Sequence, residues 1–275
     1  MDRNTEIKTL NEDSDFIELK KTINKKIGFN CDQYKPSHFK RRIDIRLRAN
    51  NCTEYSQYVK VLKNEPKELE KLIDTLTVNV TEFFRNKETY ELIEQKVLPE
   101  ILKKKNVSSV NVWSAGSSIG VEAYSVAILL NKALGSKINR YNIKILGTDI
   151  DNKSLNRATE GIYTSMEVRN IDSNTLETYF TFQDNKYHVK DKLKNLVKFK
   201  HHDLISGGNV GNFDLILCRN VTIYFERELQ EKLYHKFHSS LVKEGFLVIG
   251  KTETLVGDVK DLFVPFNLKE RVYRK

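Results

Sequence analysis

Proline and glycine are scarce in this chain, at 4 and 12 of 275 residues. That excludes collagen-like and Pro/Gly-rich low-complexity chains. Cysteine is scarcer still. Cys31, Cys52 and Cys218 are odd in number and match no zinc spacing, so a disulfide framework and a cysteine metal site are both disfavoured. Reduced thiols in an intracellular protein are expected. No apolar run approaches the roughly 18 residues of a spanning helix, so no membrane insertion is expected. The opening MDRNTEIKTLNEDSDF has no apolar stretch of the kind a secretory leader needs. A cytoplasmic location follows as the expectation. No repeat of fixed period stands out.

What is present is enough apolar material for a core, 39 % of residues, in a length that predicts two domains at roughly 100–200 residues each. The chain also carries a net charge of +9, which calls for an acidic partner such as nucleic acid, a membrane surface or an acidic protein. The excess is local. Residues 20–48 hold ten basic side chains against Asp32 and Asp44, a net +8, and the remainder is close to neutral. Within this stretch 36–48 reads as a helix. Phe39, Ile43 and Leu47 recur every four residues, and Pro36 suits a first helical turn. Lys40 and the arginines fall beside or opposite the apolar stripe. They form either a solvated face or a docking surface for something acidic.

Residues 14 to about 78 read as all-helical, with apolar stripes at Phe16/Leu19/Ile23/Ile27, Tyr55/Tyr58/Val59/Leu62 and Leu69/Leu72/Ile73/Leu76. A helix over Lys87–Leu98 connects to a different pattern. Short β-branched runs at Val110–Trp113, Ile143–Leu146, Phe213–Cys218 and Phe246–Ile249 read as strands, and Val121–Leu134 and Glu226–Leu241 as helices. This alternation predicts βαβ units and a mostly parallel sheet. Residues 160–200 break the rhythm, and Tyr179–Phe182 with Tyr187–Val189 reads as a small hairpin.

In open parallel sheets ligands sit at the carboxyl ends of the strands. After the first strand, Ser114-Ala115-Gly116-Ser117-Ser118-Ile119-Gly120 leads into a helix. Small residues there allow close backbone approach to a ligand, or simply make a strand-to-helix turn. Glu122 follows in the first helical turn. After the second strand comes Gly147-Thr148-Asp149-Ile150-Asp151. An acid at that place binds ribose hydroxyls. Asp149 is the first candidate, and Asp151 the alternative if the register differs. The 33 residues from Gly116 to Asp149 exceed the roughly 20 of an NAD unit. With no pyrophosphate loop, a nucleoside ligand without phosphates is favoured, and S-adenosylmethionine fits, its ribose on Asp149 and its cationic end near carboxylates. After Phe213–Cys218, Arg219 and Asn220 precede Val221-Thr222-Ile223-Tyr224-Phe225; an Asn amide suits an amino-acid moiety. Upstream, TVNVTEFFR at 77–85 offers Asn79, Thr81 and Arg85, the last either capping locally or gripping a carboxylate. His201/His202 and His235/His238 suggest no third ligand, so no metal is expected.

These motifs, in this order, resemble the chemotaxis receptor methyltransferase family (CheR-type, S-adenosylmethionine-dependent protein-glutamate O-methyltransferases). The matching pieces are TVNVTEFFR, VWSAGSSIGVEAYSVAI at 112–128, GTDID at 147–151, HDL at 202–204, CRNVTIYF at 218–225, GFLVIGKTETL at 245–255 and VYRK at 272–275. The resemblance implies an α/β fold class: a small helical N-terminal domain (1–80) for substrate docking, a linker and connecting helix (81–105), and a Rossmann-like, mostly parallel methyltransferase domain (106–275). A small antiparallel β-subdomain is inserted at about 163–198. It implies cofactor contacts at Asn79, Thr81, Arg85, Glu122, Asp149, Asp203, Leu204, Arg219 and Asn220. Arg85 and Tyr224 would be the catalytic pair facing methyl and substrate carboxylate. Arg41, Arg42, Arg46 and Arg48 would form the docking face. The implied reaction transfers a methyl group from S-adenosylmethionine to receptor glutamates, leaving S-adenosylhomocysteine. The implied partner is the cytoplasmic helical region of methyl-accepting chemoreceptors, rich in Glu.

The chain departs from the family pattern in places. G-E-E-P-Y-S reads Gly120-Val121-Glu122-Ala123-Tyr124-Ser125, Asn-Leu reads Asp203-Leu204, and G-H-S-E reads Gly250-Lys251-Thr252-Glu253. The stretch Tyr179–Val189 is shorter than the Gly-rich loop of members that grip a receptor's C-terminal pentapeptide, so independence from that tether is expected. Two other readings compete. A nucleic-acid methyltransferase would share the fold and the basic patch, but the Arg219-Asn220-Val221 segment lacks the Pro-Pro-aromatic pattern of base-directed enzymes, so no nucleic-acid partner is expected. A non-catalytic S-adenosylmethionine-binding signalling adaptor draws on the departures at Val121 and Asp203.

Overall fold

The structure, a computed structural model, describes residues 3–27, 31–76, 81–103 and 109–275, without the side chains of 3–13 and 33. The chain forms two compact units. One is Met1–Asn79 with Tyr224–Glu226; the other is Val80–Ile223 with Arg227–Lys275.

The first unit is built from α1 (Arg3–Ile27), α2 (Pro36–Ala49), α3 (Tyr55–Asn64) and α4 (Pro66–Leu76). Pro36 opens α2 where its missing N–H costs nothing. The expected stripe of Phe39, Ile43 and Leu47 is buried with Leu19, Ile23, Tyr58, Leu62 and Leu72 in one core. Beneath that core's rim lies a polar knot that the sequence did not announce. Arg46 donates from Nε to Glu68 Oε1 (2.8 Å) and from Nη2 to Oε2 (2.6 Å), and the Tyr58 hydroxyl donates to Oε1 (2.8 Å). Burial alone would raise the Glu68 carboxyl, but the Arg46 guanidinium and the Tyr58 hydroxyl outweigh it and hold its pKa below the ordinary range. Arg46 therefore belongs to the unit's interior fastening, not to a free docking face. Arg41 and Arg48 are exposed and Arg42 is half-buried. The segment Tyr224–Glu226 clusters with these helices. The Lys35 N–H donates to Tyr224 O (2.9 Å), and the rings of Tyr34 and Phe225 meet edge-on at 5.3 Å.

The second unit begins with α5 (Lys87–Leu92), a π-helical turn (Ile93–Val97) and α6 (Leu98–Lys103). The expected helix over Lys87–Leu98 is thus interrupted by a π-helical turn. Pro99 has no N–H and its ring crowds the preceding turn, which accounts for the widened turn just before it. Tyr90, Ile93, Val97, Leu98 and Ile101 pack into the core of this unit. Then follow β1 (Ser109–Ala115), α7 (Val121–Leu134), β2 (Asn142–Asp149), α8 (Asn152–Glu160), β3 (Ile162–Tyr163), α9 (Ser173–Tyr179), β4 (Phe180–Gln183), β5 (Lys186–Val189), α10 (Asp191–Lys194), β6 (Val197–His201), β7 (Phe213–Cys218), α11 (Arg227–Ser240), β8 (Leu241–Ile249), β9 (Val264–Asn267) and β10 (Val272–Arg274).

Seven strands form one sheet in the order β6-β2-β1-β7-β8-β10-β9. β6, β2, β1, β7 and β8 are parallel neighbours, while β10 runs antiparallel to β8 and β9. The second sheet, β3-β5-β4, is the expected antiparallel insertion, with β3 added to the expected hairpin. Its tip is the two-residue turn Asp184-Asn185, both at positive φ, as a primed hairpin turn requires. Sequence reasoning missed β6, β9 and β10. β6 is an edge strand whose Lys198, Lys200 and His201 face solvent, so it never reads as an apolar run.

Candidate functional site

Chain order reverses beside β1: the sheet grows first through β2 to β6, then from β7 outward. The carboxyl ends of β1 and β7 therefore form the topological switch point where an open α/β sheet leaves a crevice. The N–H groups of Gly116 and Ser117 donate to Thr148 O (2.9 and 2.8 Å), which folds the loop after β1 back onto the end of β2. Gly116 is required there. Its φ is +78°, and a Cβ on it would lie 2.5 Å from Val221 Cγ2 of the loop after β7. The Trp113 indole N–H donates to Thr148 Oγ1 (2.9 Å) and fastens the same two strands from below.

Asp149 ends β2. Its Oδ2 accepts from the Ser118 N–H (2.8 Å) and its Oδ1 from the Asp151 N–H (3.0 Å). Burial nevertheless raises its pKa, because it outweighs these N–H bonds. Asp151, the alternative, is occupied otherwise. It caps α8, accepting from Lys153 N (2.9 Å) and Ser154 Oγ (2.6 Å).

Glu122 stands in the first turn of α7, where its Oε1 accepts from Ser114 Oγ (2.8 Å). Its Oε2 lies 3.8 Å from Arg219 Nη1, with both side chains largely buried. Burial pushes the Glu122 carboxyl up, and Arg219 only partly offsets it. Arg219 in turn donates from Nη2 to Arg85 O and to Asn86 Oδ1 (both 2.8 Å) and lies over the Tyr90 ring at 5.3 Å. The guanidinium thus ties the TEFFR segment to the end of β7. That segment is held from behind as well. The Phe83 N–H donates to Glu167 O (2.9 Å), and Asn170 Nδ2 donates to Phe83 O (3.1 Å).

The structure thus brings Arg85, Glu122, Asp149, Arg219 and Asn220 to one end of the sheet. Thr81 is half-buried at the start of the same segment, and Asn79 lies outside the described residues. Asp203 follows β6, and the His202 N–H beside it donates to Asp149 O (2.9 Å). Both Asp203 oxygens already bond within their own turn, accepting from Ile205 N (2.8 Å) and Ser206 Oγ (2.5 Å). Leu204 is buried next to it. Tyr224 groups with the helical unit, where its ring meets His38 edge-on at 6.0 Å. His235, for which no third ligand was foreseen, has Glu231 and Asp258 beside it, ligand atoms within 4.8 Å of one another.

One residue here was missed. Glu253, 3 % exposed, gathers the N–H groups of the loop after β7. Asn220 N (2.9 Å) and Gly250 N (2.5 Å) donate to its Oε2, and Val221 N (3.0 Å), Thr222 N (2.7 Å) and Thr222 Oγ1 (2.8 Å) donate to its Oε1. The signal was available. Glu253 lies just past the carboxyl end of β8, the same place that singled out Asp149 and Arg219 on their strands.

The N-terminal helices match the model of the all-alpha domain of CheR methyltransferases over residues 14–77, and residues 79–272 match the model of their SAM-binding domain. The chain belongs to the CheR methyltransferase family. It is 31 % identical to the chemotaxis protein methyltransferase of Listeria monocytogenes serovar 1/2a, over 89 % of this chain and 91 % of the relative. It is 33 % identical to that of Borreliella burgdorferi, over 87 % and 88 %. It is 30 % identical to that of Escherichia coli K12, over 88 % and 84 %. The CheR family's cofactor is S-adenosylmethionine, and the residues present fit it. Ser117 Oγ and Arg219 Nε, on the loops after β1 and β7, are buried with no hydrogen-bond partner among the described residues. Two buried carboxylates, Glu122 and Asp149, have pKa values raised by burial, so each gains from a ligand that donates to it. A ligand with ribose hydroxyls and a cationic amino-acid end answers both needs. Among the described residues, no helix is long and apolar enough to cross a membrane.

Proposed function

We propose that this CheR methyltransferase methylates glutamate side chains in the cytoplasmic helical region of methyl-accepting chemoreceptors, acting in the cytoplasm. The products are glutamyl methyl esters and S-adenosylhomocysteine. The observation that carries this reading is the pair of family matches in tandem, together with relatives named chemotaxis protein methyltransferase along nearly nine-tenths of the chain.

When bound, S-adenosylmethionine supplies a methyl group activated by its sulfonium. The protein has little proton work to do. A glutamate side chain with a pKa of about 4.3 is already ionised at neutral pH, so no strong general base is required. What the chain contributes is alignment and removal of water from the attacking carboxylate. Asp149 takes the ribose hydroxyls, while Glu122, Arg219 and Asn220 receive the amino-acid end. Thr81, Asn79 and Leu204 complete the cofactor contacts, and Asp203 serves through its loop. Arg85 orients the substrate carboxylate without pairing so tightly that it quenches the nucleophile, and Tyr224 contributes its hydroxyl to alignment. The helical N-terminal unit docks the receptor through Arg41, Arg42 and Arg48, whose positive charge complements a Glu-rich helical bundle. The two-residue β4–β5 turn supports recognition without a C-terminal pentapeptide. Incubation with labelled S-adenosylmethionine and receptor-containing membranes tests the reading. Base-labile labelled methanol is expected, and cofactor binding without any release would favour the adaptor instead.

A further inference from the structure

The loop after β7 turns at Asn220. Asn220 has φ +60°, a left-handed conformation that L-residues other than glycine rarely adopt. The N–H groups of Asn220, Val221 and Thr222 all point the same way, and the Ile223 N–H joins them at 3.3 Å. Such convergent N–H groups form an anion-binding concavity. Here the anion is the chain's own Glu253. The fit leaves no slack, since a Cβ on Gly250 would lie 2.6 Å from Glu253 Oε2 and 2.9 Å from Asn220 N. On its other side the loop carries Val221, whose methyl fills the space that Gly116 leaves open. One buried carboxylate therefore sets the backbone of one cofactor loop and, through Val221, its contact with the other.

We infer that Glu253 is a positioning residue for cofactor binding: it touches no cofactor atom itself but holds the Asn220 backbone, and with it the loop that follows Arg219, where Asn220 can. The inference rests on reading Arg219 and Asn220 as cofactor contacts. Glutamine at 253 keeps an acceptor for Val221, Thr222 and Ile223 but turns an amide N–H₂ toward the N–H groups of Asn220 and Gly250. Alanine removes every acceptor.

The test measures labelled S-adenosylmethionine by equilibrium dialysis on the full chain, as wild type, Glu253→Gln and Glu253→Ala. The KM values for cofactor and for receptor membranes accompany it. The expected result is a cofactor Kd raised about tenfold in Glu253→Gln, equivalent to about 1.4 kcal/mol, and further in Glu253→Ala. The KM for receptor stays within about twofold of wild type. A general loosening of the fold would raise both KM values together, and that result overturns the inference. So does an unchanged cofactor Kd in a Glu253→Gln chain of native circular dichroism. If Glu253→Ala fails to fold, Glu253→Gln decides. If both fail to fold, Glu253 is a folding determinant and the inference is wrong. A wild-type chain that binds no S-adenosylmethionine would instead overturn the cofactor-site reading itself.

Discussion

Replacing Arg46 by alanine separates two accounts of the basic helix α2. If Arg46 were a docking charge, its loss would weaken receptor binding and leave the fold intact. The structure places it elsewhere: its guanidinium grips Glu68 through two nitrogens, and Glu68 is only 2 % exposed. Arg46→Ala would leave that carboxylate buried with the Tyr58 hydroxyl, at 2.8 Å, and the Asn50 amide beside it but no cation. Breaking one side of a buried ion pair costs about 3–5 kcal/mol. Arg48→Ala, on the exposed side of the same helix, should stay within about 0.5 kcal/mol of wild type. The double variant Arg46→Met with Glu68→Leu removes both charges and leaves the buried Tyr58 hydroxyl without its acceptor, a cost of about 1–3 kcal/mol, while the Asn50 amide keeps its bond to the backbone oxygen of residue 46. It should therefore recover part of the loss. Urea denaturation followed by far-UV circular dichroism reads all three. The pH dependence has a fixed sign. Glu68 has a folded pKa below its unfolded value of about 4.3, so its pair stabilises the protein fully above that value. The contribution fades as pH falls through the depressed folded pKa. The gap between wild type and Glu68→Gln should shrink on acidification in that window. An Arg46→Ala chain as stable as Arg48→Ala would refute the reasoning.

Three further outcomes are expected. Gly116→Ala, with φ +78° and a Cβ 2.5 Å from Val221 Cγ2, should weaken S-adenosylmethionine binding at least tenfold in equilibrium dialysis, about 1.4 kcal/mol. Charge reversal at Arg41, Arg42 and Arg48 together should raise the receptor KM, steeply at low salt and less at high salt, with cofactor Kd unchanged. Tyr224→Phe should lower turnover more than cofactor affinity in steady-state assays, and an unaltered turnover would remove Tyr224 from the catalytic step.

The sequence displayed the α/β alternation because β1, β2, β7 and β8 are central and apolar, and because α7 is buried on nearly every side. It hid β6 because an edge strand carries its lysines outward. The acids and polar pairs at strand ends were legible since the strand-end rule needs only one strand and the residue after it. Glu253 stood in a motif without a role, because apart from Gly250 its partners lie thirty or more residues away and are mostly backbone N–H groups, which leave no mark in a sequence. The Arg46–Glu68 pair was hidden for a related reason. A charge run looks uniform until folding selects one member, here by bringing Glu68 of α4 against α2. Asp151 could be set aside in favour of Asp149 only once α8 was seen to start on it.

The central claim is that this chain esterifies receptor glutamates. It is tested most directly by incubating the purified protein with methyl-labelled S-adenosylmethionine and membranes bearing a chemoreceptor. A parallel sample carries the receptor with its methylation-region glutamates changed to glutamine, and base-released methanol is then counted. The account predicts labelled methanol from the glutamate receptor and none from the glutamine form. Label that enters the protein fraction equally in both, or appears only in added nucleic acid, would contradict it.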